Sequence, residues 1–261
     1  MYYCFKNIHM KRSIKSLIGF NLRETNGEVG KVEEFYFDDQ SWAIRYLIVK
    51  TGSWLSERQV LISPSALQQP DWQNEEFPVN LNKEQIENSP DIDTDKPVSR
   101  QQEEALYAHY GWQGYWGAEP FEHGAGLFGA MPGDLYNNEV ENAETMPATN
   151  ATNDLHLRST KKVKGYKIHA VDGEIGKVVD YIIEDTTWQI KFLVVETGSL
   201  LDSRKVLLPT QWIKEVNWDN SVVIVDVTTE AVRNSPMFDA SEAVNDAYER
   251  NLYDYYGRQV H

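Results

Sequence analysis

Short apolar runs separated by turn-forming residues recur along this chain. The run at 44–49 is apolar at successive positions in its second half, which is typical of a strand covered on both faces. The run at 77–81 alternates apolar residues with others, which predicts a strand with one buried face. Asn26-Gly27 stands between apolar runs, as expected of a tight hairpin turn. Six short strands with turns at regular spacing predict a small antiparallel barrel or sandwich.

The whole pattern repeats when the chain is shifted by 146 residues. Between positions 19–90 and 165–236, 25 of 72 residues are identical, and the alignment needs no gap. A repeat of this length indicates two copies of one domain, and not a solenoid of short units. The fold class we expect is mainly β with short helices. It consists of two tandem, six-stranded antiparallel β-barrels related by a pseudo-twofold axis, as the subunits of an isologous dimer would be.

A helical spacing of aromatic residues follows each predicted barrel. Ser99 fits an N-cap with Gln102 completing a capping box, and Gly111 fits a C-terminal stop. Asn245 and Gly257 take the cap and stop positions in the second copy. We therefore expect each barrel to be followed by a helix that packs an aromatic face on it.

The predicted domain boundaries follow from these patterns. Residues 1–12 are expected to be disordered or to precede the native start, with Met10 as a second candidate start. The first domain and its helix are predicted at 13–111, and the second at 161–257. A linker is predicted at 112–160, where glycine and aromatic residues are followed by an acidic, flexible stretch.

The linker region is rich in both acids and aromatic rings. From residue 101 to residue 157 there are nine acidic residues and no Lys or Arg. Two interpretations stay open: the rings pack back on the chain's own barrels, or they form an exposed surface for a partner, since aromatic residues are enriched at interface cores. The candidate interaction surface comprises Trp54, Trp112, Tyr115, Trp116 and Phe121.

Composition excludes several classes of function. Lys and Arg number 25 against 40 Asp and Glu, so the net charge of −15 disfavours binding to nucleic acid or to an anionic membrane surface. The single cysteine, Cys4, rules out an internal disulfide. The sequence contains no apolar stretch of the roughly 18 residues that a transmembrane segment needs, and no secretory signal is recognisable. We therefore expect a cytoplasmic protein.

A search for reactive groups predicts no catalytic, cofactor or metal site. The six histidines are scattered without the spacing of a zinc site, and Gly27–Gly30 lacks the Lys-Ser/Thr of a phosphate-binding loop. Arg58 and Arg204 are matched cations beside a glycine-rich strand end. We expect them to form a structural ion pair with acids of the turns, or alternatively an anion site.

Three motifs carry a resemblance to a known family. They are Gly27-Glu28-Val29-Gly30-Lys31-Val32, the strand end at 49–52, and the segment 54–62, with equivalents in the second copy at 198–209. The chain resembles the PRC-barrel family in tandem, over about 17–90 and 163–236. The resemblance implies a β-barrel like those of the photosynthetic reaction-centre H subunit and of a ribosome-maturation factor, where the barrel serves assembly and carries no catalytic residues.

The functional expectation is a non-enzymatic protein-interaction or assembly module. Its partner is an unknown protein, and a homodimer is a further partner expectation. One alternative is a ligand-binding protein or enzyme with its site in the cleft between the barrels, which predicts converging polar groups there. A second alternative is a peripheral subunit of a membrane electron-transfer complex.

Overall fold

A computed structural model describes residues 10–52, 58–90, 98, 100–114, 156–198, 203–240 and 244–258. Within these ranges the chain is mainly β with short helices, as predicted. The first copy contains β1 (Lys11–Ser13), β2 (Asn21–Glu24), β3 (Gly27–Asp38), β4 (Ile44–Thr51), β5 (Arg58–Ile62), β6 (Glu76–Pro78), α1 (Lys83–Glu87) and α2 (Arg100–Tyr110).

The second copy has the equivalent strands and helices in the same order, with α3 and β12 in addition. It contains β7 (Leu157–Ser159), α3 (Thr160–Val163), β8 (Lys167–Ala170), β9 (Gly173–Glu184), β10 (Gln189–Thr197), β11 (Arg204–Pro209), β12 (Ile213–Asn217), β13 (Val222–Val225), α4 (Thr229–Arg233) and α5 (Asp246–Tyr255).

The strands form two open sheets, one of six strands and one of seven. The first has the order β5-β4-β3-β2-β6, and the second the order β11-β10-β9-β8-β13-β12. The end strands of each order are not paired with one another among the described residues, so the prediction of closed barrels is not met. The prediction of purely antiparallel sheets is wrong, because β2 pairs β6 and β8 pairs β13 in parallel.

Each sheet also contains a strand from the other copy. β1 pairs antiparallel with β9, so that Lys11 lies opposite Glu184, and β7 pairs antiparallel with β3, so that Leu157 lies opposite Asp38. These two registers are the same when shifted by 146 residues. The copies have therefore exchanged their first strands, and neither sheet is complete without the other copy.

This exchange corrects two predicted boundaries. The sequence analysis places residues 1–12 outside the fold, yet Lys11 and Arg12 belong to β1. It also places residues 157–160 in the linker, yet 157–159 form β7 and Thr160 begins α3. Neither segment has the length or alternation of a recognisable strand. Their pairing is decided by partners more than a hundred residues away in the chain.

The turns after β3 and β9 join the copies by further backbone hydrogen bonds. The amide of Ile44 donates to the carbonyl of Trp188 at 2.8 Å, and the amide of Ile190 donates to that of Trp42 at 2.9 Å. Both tryptophans have a left-handed backbone, with φ of 59° and 57° respectively. The two tryptophans therefore lie at the junction of the copies.

One continuous core runs through both copies. Its buried side chains include Phe35 and Tyr46 in the first copy and Tyr181 and Phe192 in the second. Gly30 and its equivalent in β9 stand where the strands come close. A Cβ at Gly30 would lie 2.5 Å from the carbonyl oxygen of Lys50, so a side chain there would collide with backbone.

The trailing helices confirm the predicted caps where these are described. Asn245 accepts hydrogen bonds from the amides of Ala247 and Tyr248. Gly111 and Gly257 end the helices in the left-handed region, with φ of 69° and 63°. The Ser99 cap lies outside the described residues.

The copies differ at one sheet edge. β12 in the second copy has no equivalent strand in the first, where only isolated bridges such as Leu67 to Val79 are formed. Pro70 occupies the position of Val216 in β12. Because proline has no amide hydrogen to donate to a ladder, the first copy forms a loop where the second forms a strand.

Candidate functional site

The main candidate site is a groove where the two copies meet. It has a volume of about 920 Å³. The first copy supplies one wall, from Ser63 through Pro70 to Trp72, together with Tyr107 of α2. The other wall consists of the start of β1 and the turn from Asp185 to Trp188. The groove therefore lies between the two copies, and the exchanged strand β1 contributes to its lining.

Arg12 is the central cation of this groove. Its Nε donates to Oδ2 of Asp185 at 2.9 Å, and its guanidinium carbon lies 3.5 Å from the centre of the Trp72 ring. The side chains of Arg12 and Asp185 are only 21% and 9% exposed. A half-buried ion pair that also stacks on an aromatic ring fixes the guanidinium in one orientation.

The opposite junction has the same arrangement. Arg158 donates to Asp39 at 2.7 Å and lies 4.1 Å from the centre of the Trp218 ring. Asp39 and Asp185 stand in the turns after β3 and β9. They are the acceptors of two ion pairs that join the copies.

Tryptophan rings line the groove and rest on the core of the first copy. The Trp72 ring lies 6.0 Å from Phe20, and the Trp188 ring lies 5.8 Å from Phe77 and 6.2 Å from Phe35. Trp188 comes from the second copy, so its ring bridges the junction. The aromatic wall therefore packs against buried phenylalanine rings of the first copy.

A second ion pair lies at the groove beside β4. Nη2 of Arg45 is 3.4 Å from Oδ2 of Asp38, which is 7% exposed. Burial alone would raise the pKa of Asp38, but hydrogen bonds from the backbone and hydroxyl of Ser41, the Arg45 charge and the Gln40 amide outweigh it. The pKa of Asp38 is therefore lowered, and its carboxylate is committed to these partners.

Arg58 and Arg204 have a role that the sequence analysis did not consider. Arg58 donates to the carbonyl oxygens of Glu87 and Ser89, the latter at 2.7 Å. Arg204 donates to those of Arg233 and Ser235, at 2.8 Å and 3.5 Å. Both guanidinium groups thus satisfy carbonyls at the C-terminal ends of α1 and α4, where helices leave such groups unpaired. The ion pair and the anion site stay predictions.

Of the predicted interaction surface, only Trp112 is described. Its ring stacks on Tyr110 at 4.3 Å and meets Tyr107 edge-on at 5.6 Å, so it packs on its own helix and is half-buried. The remaining candidates of that surface, Trp54, Tyr115, Trp116 and Phe121, lie outside the described residues.

The sequence analysis missed the groove because it began the repeat at Gly19. A backward extension of the same shift aligns Arg12 with Arg158 and Ser13 with Ser159. The identity of Arg12 and Arg158, which precede the first recognised position of the repeat, was the sequence signal that could have revealed the groove. Strand exchange itself leaves no trace in the spacing of the residues.

No helix in the described part of the chain combines the length and the apolar character that crossing a membrane requires. In the same ranges, no group of three or more His, Cys, Asp or Glu side chains is arranged to hold a metal ion.

Comparison with known proteins identifies the domains. The model of the PRC-barrel domain matches residues 10–83 and again residues 158–232. The two matches together cover more than half of the chain and begin at the exchanged strands, earlier than the motifs alone indicated. No curated protein matches the chain. The chain therefore belongs to the PRC-barrel family and contains the domain twice.

Proposed function

We propose that this chain is a non-enzymatic, cytoplasmic protein-interaction module that binds an extended segment of a partner protein in the groove between its copies. The observation that carries the proposal is the aromatic wall of that groove, formed by Trp72 and Trp188 with Tyr107 alongside. Aromatic and arginine side chains are the residue types enriched in the cores of protein interfaces.

The charges of the groove support a binding role. Arg12 and Arg45 are each engaged by a carboxylate, Asp185 and Asp38. Groups held in such pairs orient a ligand and define the groove's shape. A general acid or base would instead need a proton to exchange near neutral pH.

The reciprocal contacts support a pseudo-twofold relation between the copies. Strand pairing, turn hydrogen bonds and arginine ion pairs all recur after the same shift of 146 residues. We propose that the pairing serves as a rigid scaffold, so that partner recognition uses a surface already formed before binding.

Substitution at the groove rim tests the proposal. Gln69 is exposed in the groove wall, and Glu215 is its equivalent in the second copy. Crosslinking with mass spectrometry in the source cell should recover a partner with the wild-type chain and with Glu215→Arg. Gln69→Arg should lose at least nine-tenths of that crosslink, because its side chain extends into the groove. Equal recovery with both variants, or no partner above background, would refute the proposal.

A small molecule is the second candidate occupant, because the groove lies between the copies, where a ligand-binding protein or enzyme would have its site. This candidate would be favoured if the thermal unfolding midpoint of the chain rises when a metabolite fraction of a cell extract is added, and does not rise when the protein fraction is added. The peripheral membrane-complex subunit and the homodimer stay predictions.

A further inference from the structure

Two equivalent buried glutamates are contacted by different donors in the two copies. Glu103 lies on α2 and Glu249 at the equivalent position of α5. Their exposures are 2% and 8%. A carboxylate with so little access to water needs donors from the protein, since the desolvation of an uncompensated charge is costly.

In the second copy the donor is a lysine from the exchanged strand. Nζ of Lys11 lies 2.7 Å from Oε2 of Glu249 and 3.7 Å from Oδ1 of Asp246. The Lys11 side chain is 6% exposed. Its backbone is paired with Glu184 on one side and bridges Val244 on the other. The strand thus inserts between β9 and the segment that leads into α5.

In the first copy a tyrosine of its own sheet donates to the glutamate. The hydroxyl of Tyr46 donates to Oε1 of Glu103 at 2.8 Å. The exchanged strand that pairs with this copy is β7. Its residue Leu157 lies opposite Asp38, which is the position that Lys11 takes opposite Glu184 in the second copy. Leu157 is buried and supplies no donor.

The residues that surround the two glutamates differ in a coordinated way between the copies. The second copy has Phe192 where the first has Tyr46, and it receives lysine where the first receives leucine. If each copy kept its own first strand, Glu249 would meet Leu157 and Phe192, neither of which can donate. Lys11 would then enter a site where Glu103 already accepts a hydrogen bond from Tyr46.

We propose that the second copy carries a lysine-selective strand-binding site, and that Lys11 is the residue that directs β1 into it. The site consists of Glu184 and Val244 on either side of the strand, with Glu249 as the acceptor. Its partner is a short β-strand with a lysine at this register. The equivalent site of the first copy is selective for an apolar residue. This inference does not depend on the proposed partner groove.

Equilibrium unfolding of the full chain tests this selectivity in both directions. Lys11→Leu should raise the unfolding equilibrium constant by about a hundredfold or more, because it leaves a buried carboxylate without its cation. Leu157→Lys, the matched control on the other strand, should raise it by about tenfold or more, because the ammonium loses its water where Leu157 is buried, and Glu103 already has Tyr46 as a donor. Phe192→Tyr alone should change it by less than about tenfold.

The double variant Lys11→Leu/Phe192→Tyr should recover at least half of the loss of Lys11→Leu, measured on a logarithmic scale. The new hydroxyl reproduces in the second copy the donor that Tyr46 provides in the first. Should Lys11→Leu fail to fold, the double variant and Leu157→Lys still decide the question. A double variant no more stable than Lys11→Leu, or a Leu157→Lys chain as stable as wild type, would overturn the proposal.

Discussion

The arginines at equivalent positions of the two copies are the residues whose roles are clearest. Arg12 and Arg158 connect the copies through Asp185 and Asp39. Arg58 and Arg204 act within their own copies, where each donates hydrogen bonds to carbonyl oxygens at the end of a short helix. The retention of these cations in both copies has a structural cause at each position.

Replacement of Arg204 tests the helix-end role. Arg204→Met keeps the aliphatic stem and removes the two donors to the carbonyls of Arg233 and Ser235. The loss should destabilise the chain by about 1.5–3 kcal/mol, the range for hydrogen bonds to charged groups. Chemical denaturation measures the effect, with Arg233→Met as the control because that side chain is not the donor. An unchanged denaturation midpoint for Arg204→Met would remove this role.

Residue identity alone indicated these arginines but not their partners. Arg58 and Arg204 stand out in the sequence as matched cations, and an ion pair was the expected use. A guanidinium that reaches main-chain carbonyls leaves no signature in the identity of the residues it contacts. Arg12 was set aside with the first twelve residues, because a three-residue strand has too little pattern to recognise.

The elements that follow the sheets carry the aromatic clusters. In the second copy Trp212 packs against Tyr256 at 4.5 Å and Tyr253 at 5.5 Å. In the first copy Ala66 replaces Trp212, and Trp112 supplies the ring on Tyr110 instead. In each copy a tryptophan ring therefore packs on the tyrosines of the trailing helix, but the two tryptophans come from different places in the chain.

The tyrosines of α5 and its C-cap predict an alkaline limit of stability. Burial is the main cause that raises the pKa of Tyr248, Tyr253 and Tyr256 to about 12, from an ordinary value of 10.0. Because the folded pKa is raised, this contribution to stability is complete below pH 10 and is lost between pH 10 and pH 12.

Tyrosinate absorbance and urea midpoints measured across this pH range check the prediction. The folded chain should show tyrosine ionisation delayed beyond that of the urea-unfolded chain, and the midpoint should fall from pH 10 upward. Identical titration curves for the folded and unfolded chain would contradict it.

The sequence predicted the elements that have local signatures. The hairpin between β2 and β3, the trailing helices and their glycine stops depend on neighbouring residues, and all three were found. The turn of the hairpin is Thr25-Asn26, one residue earlier than the predicted Asn26-Gly27, because Gly27 already pairs with Glu24 at the start of β3. The closed barrel depended on pairing between distant strands, and it was wrong. Pro70 could have been used to predict that the first copy lacks the equivalent of β12, because proline has no amide hydrogen to donate to a neighbouring strand.

The whole molecule is best understood as one unit made of two repeats. Each sheet includes one strand from the other copy. The cores of the two copies also contact each other, since the rings of Phe37 and Tyr181 lie 6.1 Å apart. The repeat predicted that equivalent faces of the copies would meet. Strand exchange was not predictable, because it joins residues more than a hundred positions apart and local pattern carries no record of such pairing.

This shared construction has a consequence for unfolding. If neither sheet is complete alone, a defect in one copy must destabilise both. Leu22 and Ile168 are equivalent, fully buried residues of β2 and β8. Truncation of either to alanine removes about 2–5 kcal/mol of packing from one copy only.

Hydrogen exchange with mass spectrometry across a urea series, applied to Leu22→Ala and Ile168→Ala, is the most direct test of the account. It reports the unfolding midpoint of peptides from each copy separately. We expect each variant to lower the midpoints of both copies together and by the same amount. A midpoint that falls only in the copy bearing the substitution would show two independent domains and contradict the exchanged structure.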